Sequence, residues 1–198
     1  MSRRIGLFGG TFDPVHKGHV SIAHSFLQSE IIDQLWVLLT PFPPHKKGEE
    51  HVSYSIRHEM LEVAFSEVEN LSIMTIENEL PKPSFSFNTV KHLKELHPEV
   101  TFFFCMGEDS LSKFHTWKHH GELIKEVPLL VAQRPGANHF EVEKYILERT
   151  TFVEHTPINV SSSKIKELIN SQDQLLELLP KKVLDIILEE SLYKKNTK

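Results

Sequence analysis

Residues 5–19 read Ile5-Gly6-Leu7-Phe8-Gly9-Gly10-Thr11-Phe12-Asp13-Pro14-Val15-His16-Lys17-Gly18-His19. The apolar run Ile5–Phe8 predicts a strand, and the segment that follows the motif, Val20–Leu27, has helical period. In a doubly wound sheet ligands bind beyond the carboxyl ends of the strands, so this turn occupies the position of a nucleotide site. Gly9 and Gly10 remove side chains where a phosphate would approach the backbone, and Gly18 permits close packing at the helix start. His16 and His19, three residues apart, would both face an anion held at that helix start. The plainer readings are a tight turn for the glycine pair and a solvated or weakly metal-binding pair for the histidines. Only two metal-ligand candidates are local, no Gly-Lys-Ser/Thr follows, and the spacing is not Gly-x-Gly-x-x-Gly.

Outward from this turn, short apolar runs alternate with helical segments, the pattern of βαβ units and a parallel sheet. The strands are expected at Ile5–Phe8, Leu35–Leu39, Leu71–Ile76, Val100–Cys105, Leu129–Ala132 and Thr151–Val153. Ile56, Met60, Val63 and Ala64 share one helical face, as do Phe87, Val90 and Leu93. Ser161, Ser162 and Ser163 open a helix with Ile165, Leu168 and Ile169 inside, and Pro180 starts a last helix expected to end near Tyr193. Thr40–Ser53 is a long Pro/Gly/His-containing loop of the kind that carries function. The expected fold is α/β, a Rossmann-like doubly wound parallel sheet.

The 198 residues fit one domain, 1–198, with a helical C-terminal part over 161–193. Composition is that of a soluble globule: 39% hydrophobic, 25% charged, and a mean hydropathy of −0.26. A net charge of −5 supplies no general basic field for nucleic acid or anionic membrane, so phosphate binding must be local. A single cysteine, Cys105, no apolar stretch of spanning length and no export signal lead to the expectation of a cytoplasmic chain without membrane contact. Of the 13 histidines, His24, His51, His92, His97, His115, His139 and His155 carry no pattern, and surface placement is expected for them.

The stretch Gly9–His19 resembles the signature of the His-x-Gly-His nucleotidyltransferases, and Val160-Ser161-Ser162-Ser163-Lys164-Ile165-Lys166 resembles their second, C-terminal signature. The middle of the chain is similar to bacterial nicotinate mononucleotide adenylyltransferases at Pro43-Pro44-His45-Lys46, Arg57-His58-Glu59-Met60-Leu61, Pro83-Ser84-Phe85-Ser86 with Thr89, Gly107-Glu108-Asp109-Ser110-Leu111, Thr116-Trp117 and Arg134-Pro135-Gly136. The resemblance runs from Ile5 to about Tyr193. It implies the nucleotidyltransferase fold and adenylyl transfer from ATP to nicotinate mononucleotide, giving nicotinate adenine dinucleotide and pyrophosphate, in NAD biosynthesis.

By that resemblance His16, His19 and Lys46 are the catalytic set. ATP would be held by Gly9, Gly10, Thr11, Phe12, His16, His19, Gly107, Asp109, Arg134, Ser161, Ser162, Ser163 and Lys166. Thr11, Lys46, Ser86, Thr116 and Trp117 would take the acceptor, with Trp117 stacked on the pyridine and N–H groups near Ser86 and Trp117 receiving its carboxylate. Mg²⁺ would be held mainly by ATP and water rather than by the protein. For Asp109 a second reading is available, a cap on a short helix after Val100–Cys105. For Lys46 the plainer reading is a solvated loop lysine.

Two positions depart from the pattern. Lys166 stands where the family usually has Arg, a point charge in place of a bidentate fork, and Glu108 stands where Gln or Gly is common. A carboxylate there repels nucleotide phosphates unless a metal or a base-edge donor meets it. Competing readings are a nicotinamide mononucleotide or dual-specificity enzyme and an ATP-binding sensor without turnover. RNA binding lacks both an accessory domain and a basic face. The sequence is compatible with a homo-oligomer, whose contacts have no local signature. The segments Thr40–Ser53 and His115–Gly121 are expected to be loops that close over substrates.

Overall fold

A computed structural model describes residues 2–41 and 51–194. In chain order the elements are β1 (Arg3–Gly10), α1 (Lys17–Gln28), β2 (Gln34–Leu39), α2 (Tyr54–Phe65), β3 (Leu71–Met74), α3 (Ser86–Leu96), β4 (Val100–Gly107) and α4 (Glu108–Leu111). They continue with α5 (His120–Glu126), β5 (Leu129–Gln133), α6 (Lys144–Leu147), β6 (Thr150–Glu154), α7 (Ser162–Glu167), α8 (Gln172–Leu178) and α9 (Lys181–Glu189). Short 3-10 turns cover Ile76–Asn78 and Phe114–Thr116.

The strands form a parallel sheet in the order β3-β2-β1-β4-β5-β6. All six expected strands are present, and their order is that of a dinucleotide-type doubly wound sheet. The strands alternate between two cores. Leu35, Val37, Leu39, Cys105, Leu130 and Ala132 enter one, packed with α1, α2 and the C-terminal helices through Phe26, Met60, Leu61, Val183 and Leu184. Trp36, Leu38, Phe102, Phe104, Leu129 and Val131 enter the other, covered by α3 and α5 through Val90, Leu93, Leu123 and Ile124. Period-2 alternation with both faces apolar is why these segments read as continuous hydrophobic runs.

Three boundaries differ from expectation. β3 stops at Met74, and Ile76 turns into a 3-10 segment that buries Glu77. α9 ends at Glu189, and the chain then reverses so that Tyr193, at φ +62°, returns to the protein surface near β1. Of the segment His115–Gly121, expected as a loop, residues 117–119 form a turn, while His115 and Thr116 end a 3-10 turn and His120 opens α5. Among the described residues no helix is long and apolar enough to cross a membrane.

The order reverses between β1 and β4, whose crossover connections leave in opposite directions. Their carboxyl ends, Gly9–Gly10 and Met106–Gly107, therefore bound an open crevice.

Candidate active site

Two cavities of about 480 Å³ each meet over that crevice and share Phe8, Gly9, Gly10, Gly107 and Ser110. Both are within the size range of small-molecule sites. The first cavity gathers Gly9, Gly10, Phe12, His16, His19, Gly107, Asp109, Arg134, Ser161, Ser162 and Ser163, almost the whole expected ATP set. The second gathers Thr11, Ser86, Thr116 and Trp117, the described part of the expected acceptor set. Lys46 lies outside the described residues. A more open cleft of about 640 Å³ along α1 and the ends of β5 and β6 shares only Arg134 and His155 with the first cavity.

The histidine pair is built by the helix that carries it. His16 is the N-cap of α1, and its Nδ1 accepts from the His19 backbone N–H at 3.3 Å. His19 Nδ1 in turn accepts from the His16 N–H at 3.2 Å, a reciprocal capping box with the rings stacked at 3.7 Å. A ring nitrogen that accepts carries no proton, so each neutral ring keeps its hydrogen on Nε2 and presents that N–H as a donor. Burial holds His16 down to about 4. Burial, and then the nearness of His16, holds His19 well below the usual histidine range. Both imidazoles are thus neutral Nε2–H donors at pH 7.

This has a consequence for stability. The unfolded chain takes up the His16 proton near 6.5 and the folded chain only near 4, so this contribution is complete above about pH 6.5 and is lost as pH falls toward 4. Thermal melts between those values should show a shallower pH slope in His16→Asn than in the parent protein; equal slopes would refute the burial argument.

Steric demands explain the glycines. A Cβ on Gly18 would stand 2.8 Å from Val160 Cγ1 and 3.0 Å from His16 Nδ1, so only glycine lets α1 start against the second signature. A Cβ on Gly10 would meet the Phe12 ring at 2.8 Å, and Phe12 itself adopts φ +47° to turn the chain. The two signatures are tied directly: Ser162 Oγ donates to the Pro14 carbonyl at 3.0 Å, and Ser161 caps α7 by accepting from the Lys164 N–H at 3.2 Å.

Sequence reasoning missed the centre of this tie. Asp13 is 2% exposed and accepts from Tyr193 Oη at 2.6 Å, Lys166 Nζ at 2.8 Å and the His51 ring at 2.8 Å. Burial alone would raise its pKa, but the hydrogen bonds from Lys166, Tyr193 and His51 outweigh it and hold the carboxyl below its usual value. Lys166, expected on the triphosphate, is placed on Asp13 and lines neither cavity. Arg57, 1% exposed, fastens the same turn by donating to the carbonyls of Thr11, Thr40, Pro41 and Val52 at 2.7 to 3.3 Å.

Several other placements differ from expectation. His51, His139 and His155 are not surface histidines: they bond to Asp13, Glu108 and Ser25 and are largely buried. A histidine's identity carries no information about its burial, which is why pattern alone failed here. Asp109 does not cap α4, whose N-cap is Gly107; it pairs with Arg134 at 2.6 Å on the cavity rim. The Trp117 backbone N–H is donated to the Phe114 carbonyl, and Ser86 opens α3 on the wall of the second cavity. The Trp117 ring packs edge-on to Phe104 and tilted to Phe114, leaving it on the wall of the second cavity. Glu77, 4% exposed on that same wall, accepts from Thr89 at 3.0 Å and Ser84 at 3.4 Å and thereby pins the segment leading to Ser86. Burial raises its pKa.

Among the described residues no group of three or more His, Cys, Asp or Glu is disposed to hold a metal. The cavity-side carboxylates each have a protein partner, Asp109 in Arg134, Glu108 through Oε1 in His139, Glu77 in Thr89 and Ser84, and the neighbouring Asp13 in three donors. That donor set fits a divalent ion carried in by phosphate oxygens and water, not one caged by protein.

Residues 7–168 match the cytidylyltransferase-like family model. A probable nicotinate-nucleotide adenylyltransferase of Halalkalibacterium halodurans is 37% identical over 195 residues, covering 98% of this chain and 93% of that one. The nicotinate-nucleotide adenylyltransferase of Bacillus subtilis is 33% identical over 191 residues, covering 96% and 98%. In fold, the chain is similar to Plasmodium falciparum nicotinic acid mononucleotide adenylyltransferase complexed with NaAD, with a TM-score of 0.82, 20% identity, and coverage of 99% and 100%.

Proposed function

Because this chain belongs to the cytidylyltransferase-like family and, within it, to the nicotinate-nucleotide adenylyltransferases, we propose that its two joined cavities carry out adenylyl transfer from ATP to nicotinate mononucleotide. The observation that carries the reading is the pair of Nε2–H donors on the wall of the first cavity, which adjoins the second at Gly9, Gly10 and Gly107.

A phosphate oxygen of the mononucleotide attacks the α-phosphorus of ATP. The new O–P bond forms as the bond to the β-phosphate bridging oxygen breaks, and pyrophosphate leaves with that electron pair. The attacking oxygen is already ionised near pH 7, so no side chain needs to act as nucleophile or general base. The protein aligns two anions and stabilises the charge that develops between them. His16 and His19 donate to the reacting phosphates, and the starts of α1 and α7 receive the leaving group with Ser161–Ser163. Lys166 supports this clamp through Asp13. Arg134 and Asp109 flank the nucleoside end. Lys46 is assigned to the triphosphate from the segment that follows β2. Mg²⁺ brought by the triphosphate would neutralise phosphate charge there.

Acceptor choice rests on the second cavity. Backbone N–H groups near Ser86, at the start of α3 on the wall of the second cavity, favour a pyridine carboxylate and offer no acceptor to a carboxamide NH₂. Trp117 supplies the stacking face, with Thr116 beside it. Trp117→Ala should raise KM for the mononucleotide by about tenfold, the lower end of an aromatic–base stack, while KM for ATP changes little. Equal changes in both constants would place Trp117 in the scaffold instead.

The deciding experiment is pyrophosphate release from ATP and Mg²⁺ with nicotinate mononucleotide, nicotinamide mononucleotide or phosphopantetheine as acceptor. Release with the first alone is the expected result. Equal release with the amide would make the enzyme dual-specific, and ATP binding with no release would make it a sensor.

A further inference from the structure

Glu108 opens α4 directly after β4, at the position where this chain departs from the pattern it resembles. Its Oε1 accepts from His139 Nε2 at 2.7 Å, and His139 is itself laid on the Phe152 ring with centroids 4.4 Å apart. The other oxygen, Oε2, is sealed from solvent and has no hydrogen-bond partner among the described residues. A buried carboxylate oxygen left unpaired is costly, and its persistence calls for a partner that arrives from outside the fold.

The cavity beside it indicates what arrives. His16, His19 and Ser161–Ser163 are assigned to the triphosphate, and Glu108, at the carboxyl end of β4, lines the same cavity. A carboxylate among the phosphates would repel them, whereas at the nucleoside end it faces the hydrogen-bond donors of adenosine. Ile22, Ala132 and Ile158 line the same cavity and offer apolar walls for a flat ring.

We propose that Glu108, oriented by His139, reads the base of the donor nucleotide by accepting a hydrogen bond from the exocyclic 6-amino group of adenine. The proposal rests on the assignment of the first cavity to ATP. It makes Glu108 a specificity determinant: a 6-oxo purine presents an oxygen to the carboxylate, so both the bond and the electrostatics turn unfavourable. A glutamine at the same place can flip its amide and serve either base.

The test compares ATP with inosine triphosphate, which has a 6-oxo group and an N1–H in place of the 6-amino group and the N1 lone pair, in the parent protein, Glu108→Gln and His139→Phe. Two readouts are taken: affinity for each nucleotide by calorimetry without acceptor, and kcat/KM with nicotinate mononucleotide. The parent should prefer ATP on the order of 100-fold. Glu108→Gln should bring the preference to within about threefold of unity, mainly by gaining inosine triphosphate, and His139→Phe, which retains a ring to lie on Phe152, should fall between. An unchanged preference in Glu108→Gln overturns the proposal. So does a loss that appears with 2′-deoxy- or 3′-deoxy-ATP in place of the base analogue, because that would put a ribose hydroxyl on Oε2. The calorimetric arm separates this proposal from the reaction: base selectivity can be present or absent whether or not pyrophosphate is released.

Discussion

His19→Ala lowers kcat/KM for adenylyl transfer by about 10² to 10³, the cost of removing one preorganised donor from a developing phosphate charge, while the protein stays folded. The capping geometry explains why the loss falls on catalysis. His19 Nδ1 accepts from the His16 N–H, which fixes the ring orientation and leaves Nε2–H as the donor. Alanine removes that donor and one half of the capping box, and a lost cap costs about 1 kcal/mol of stability. The stack with His16 at 3.7 Å and the edge contact with Phe12 at 4.9 Å also go, so a few degrees of Tm should be lost. The drop should lie in kcat, because the charge met by Nε2–H grows as the leaving group departs. The pH profile of the parent enzyme sharpens the test. With both imidazoles held far below the usual histidine range, kcat/KM should show no inflection from either ring between pH 6 and 8. A His19→Ala enzyme with parental kcat/KM, or a parental profile with an inflection near 6.5 that His19→Ala abolishes, would remove the neutral-donor role.

The parts of this site legible in the sequence are those written in short-range pattern. The six strands showed because each central strand is buried on both faces, so Leu35–Leu39 or Val100–Cys105 is apolar almost without interruption. The histidine pair showed because three residues is close to one helical turn, and Gly18 because a helix start pressed against Val160 tolerates nothing larger. What stayed hidden is long-range. Asp13 meets Lys166 153 residues later and Tyr193 180 residues later, and no local period records either contact. Glu77 reads as one acid among many until Thr89 and Ser84 are seen to donate to it. His139 and Glu108 lie 31 residues apart on separate connections of the sheet, so each looked like a surface residue or an isolated departure. Trp117 was found by resemblance, but the engagement of its N–H with Phe114 depends on a 3-10 turn that the pattern there does not distinguish from a loop.

Asp13→Asn should destabilise the protein by about 3 kcal/mol, the lower range for removing one partner of a buried ion pair. At this chain length that corresponds to a fall in Tm on the order of 10 °C. The carboxylate joins four parts of the chain: the turn that carries the first signature, Lys166 of the second, Tyr193 beyond α9, and His51 just before α2. An amide can still accept from Tyr193, but it leaves the Lys166 ammonium, only 29% exposed, without a counter-charge. Lys166→Met in the Asp13→Asn background should therefore recover part of the loss, a coupling that a double-mutant cycle reads directly. The pH dependence follows with a definite sign. Asp13 titrates lower in the folded chain than the 3.8 of a free carboxyl, so its contribution is present above that value and disappears as pH falls through the lower folded value. The stability gap between parent and Asp13→Asn should be full at neutral pH and close only in strong acid. Activity should fall with stability, because the same carboxylate fixes the turn from which α1 presents His16 and His19. A misplacement of about 1 Å in an alignment-driven phosphoryl transfer is costly even when every donor remains. Tyr193→Phe separates the two effects, since it removes one hydrogen bond and leaves the ion pair with Lys166 intact. A raised KM for ATP with nearly parental Tm would mark the C-terminal tyrosine as part of the site's framework, whereas a parental KM would confine Tyr193 to stability.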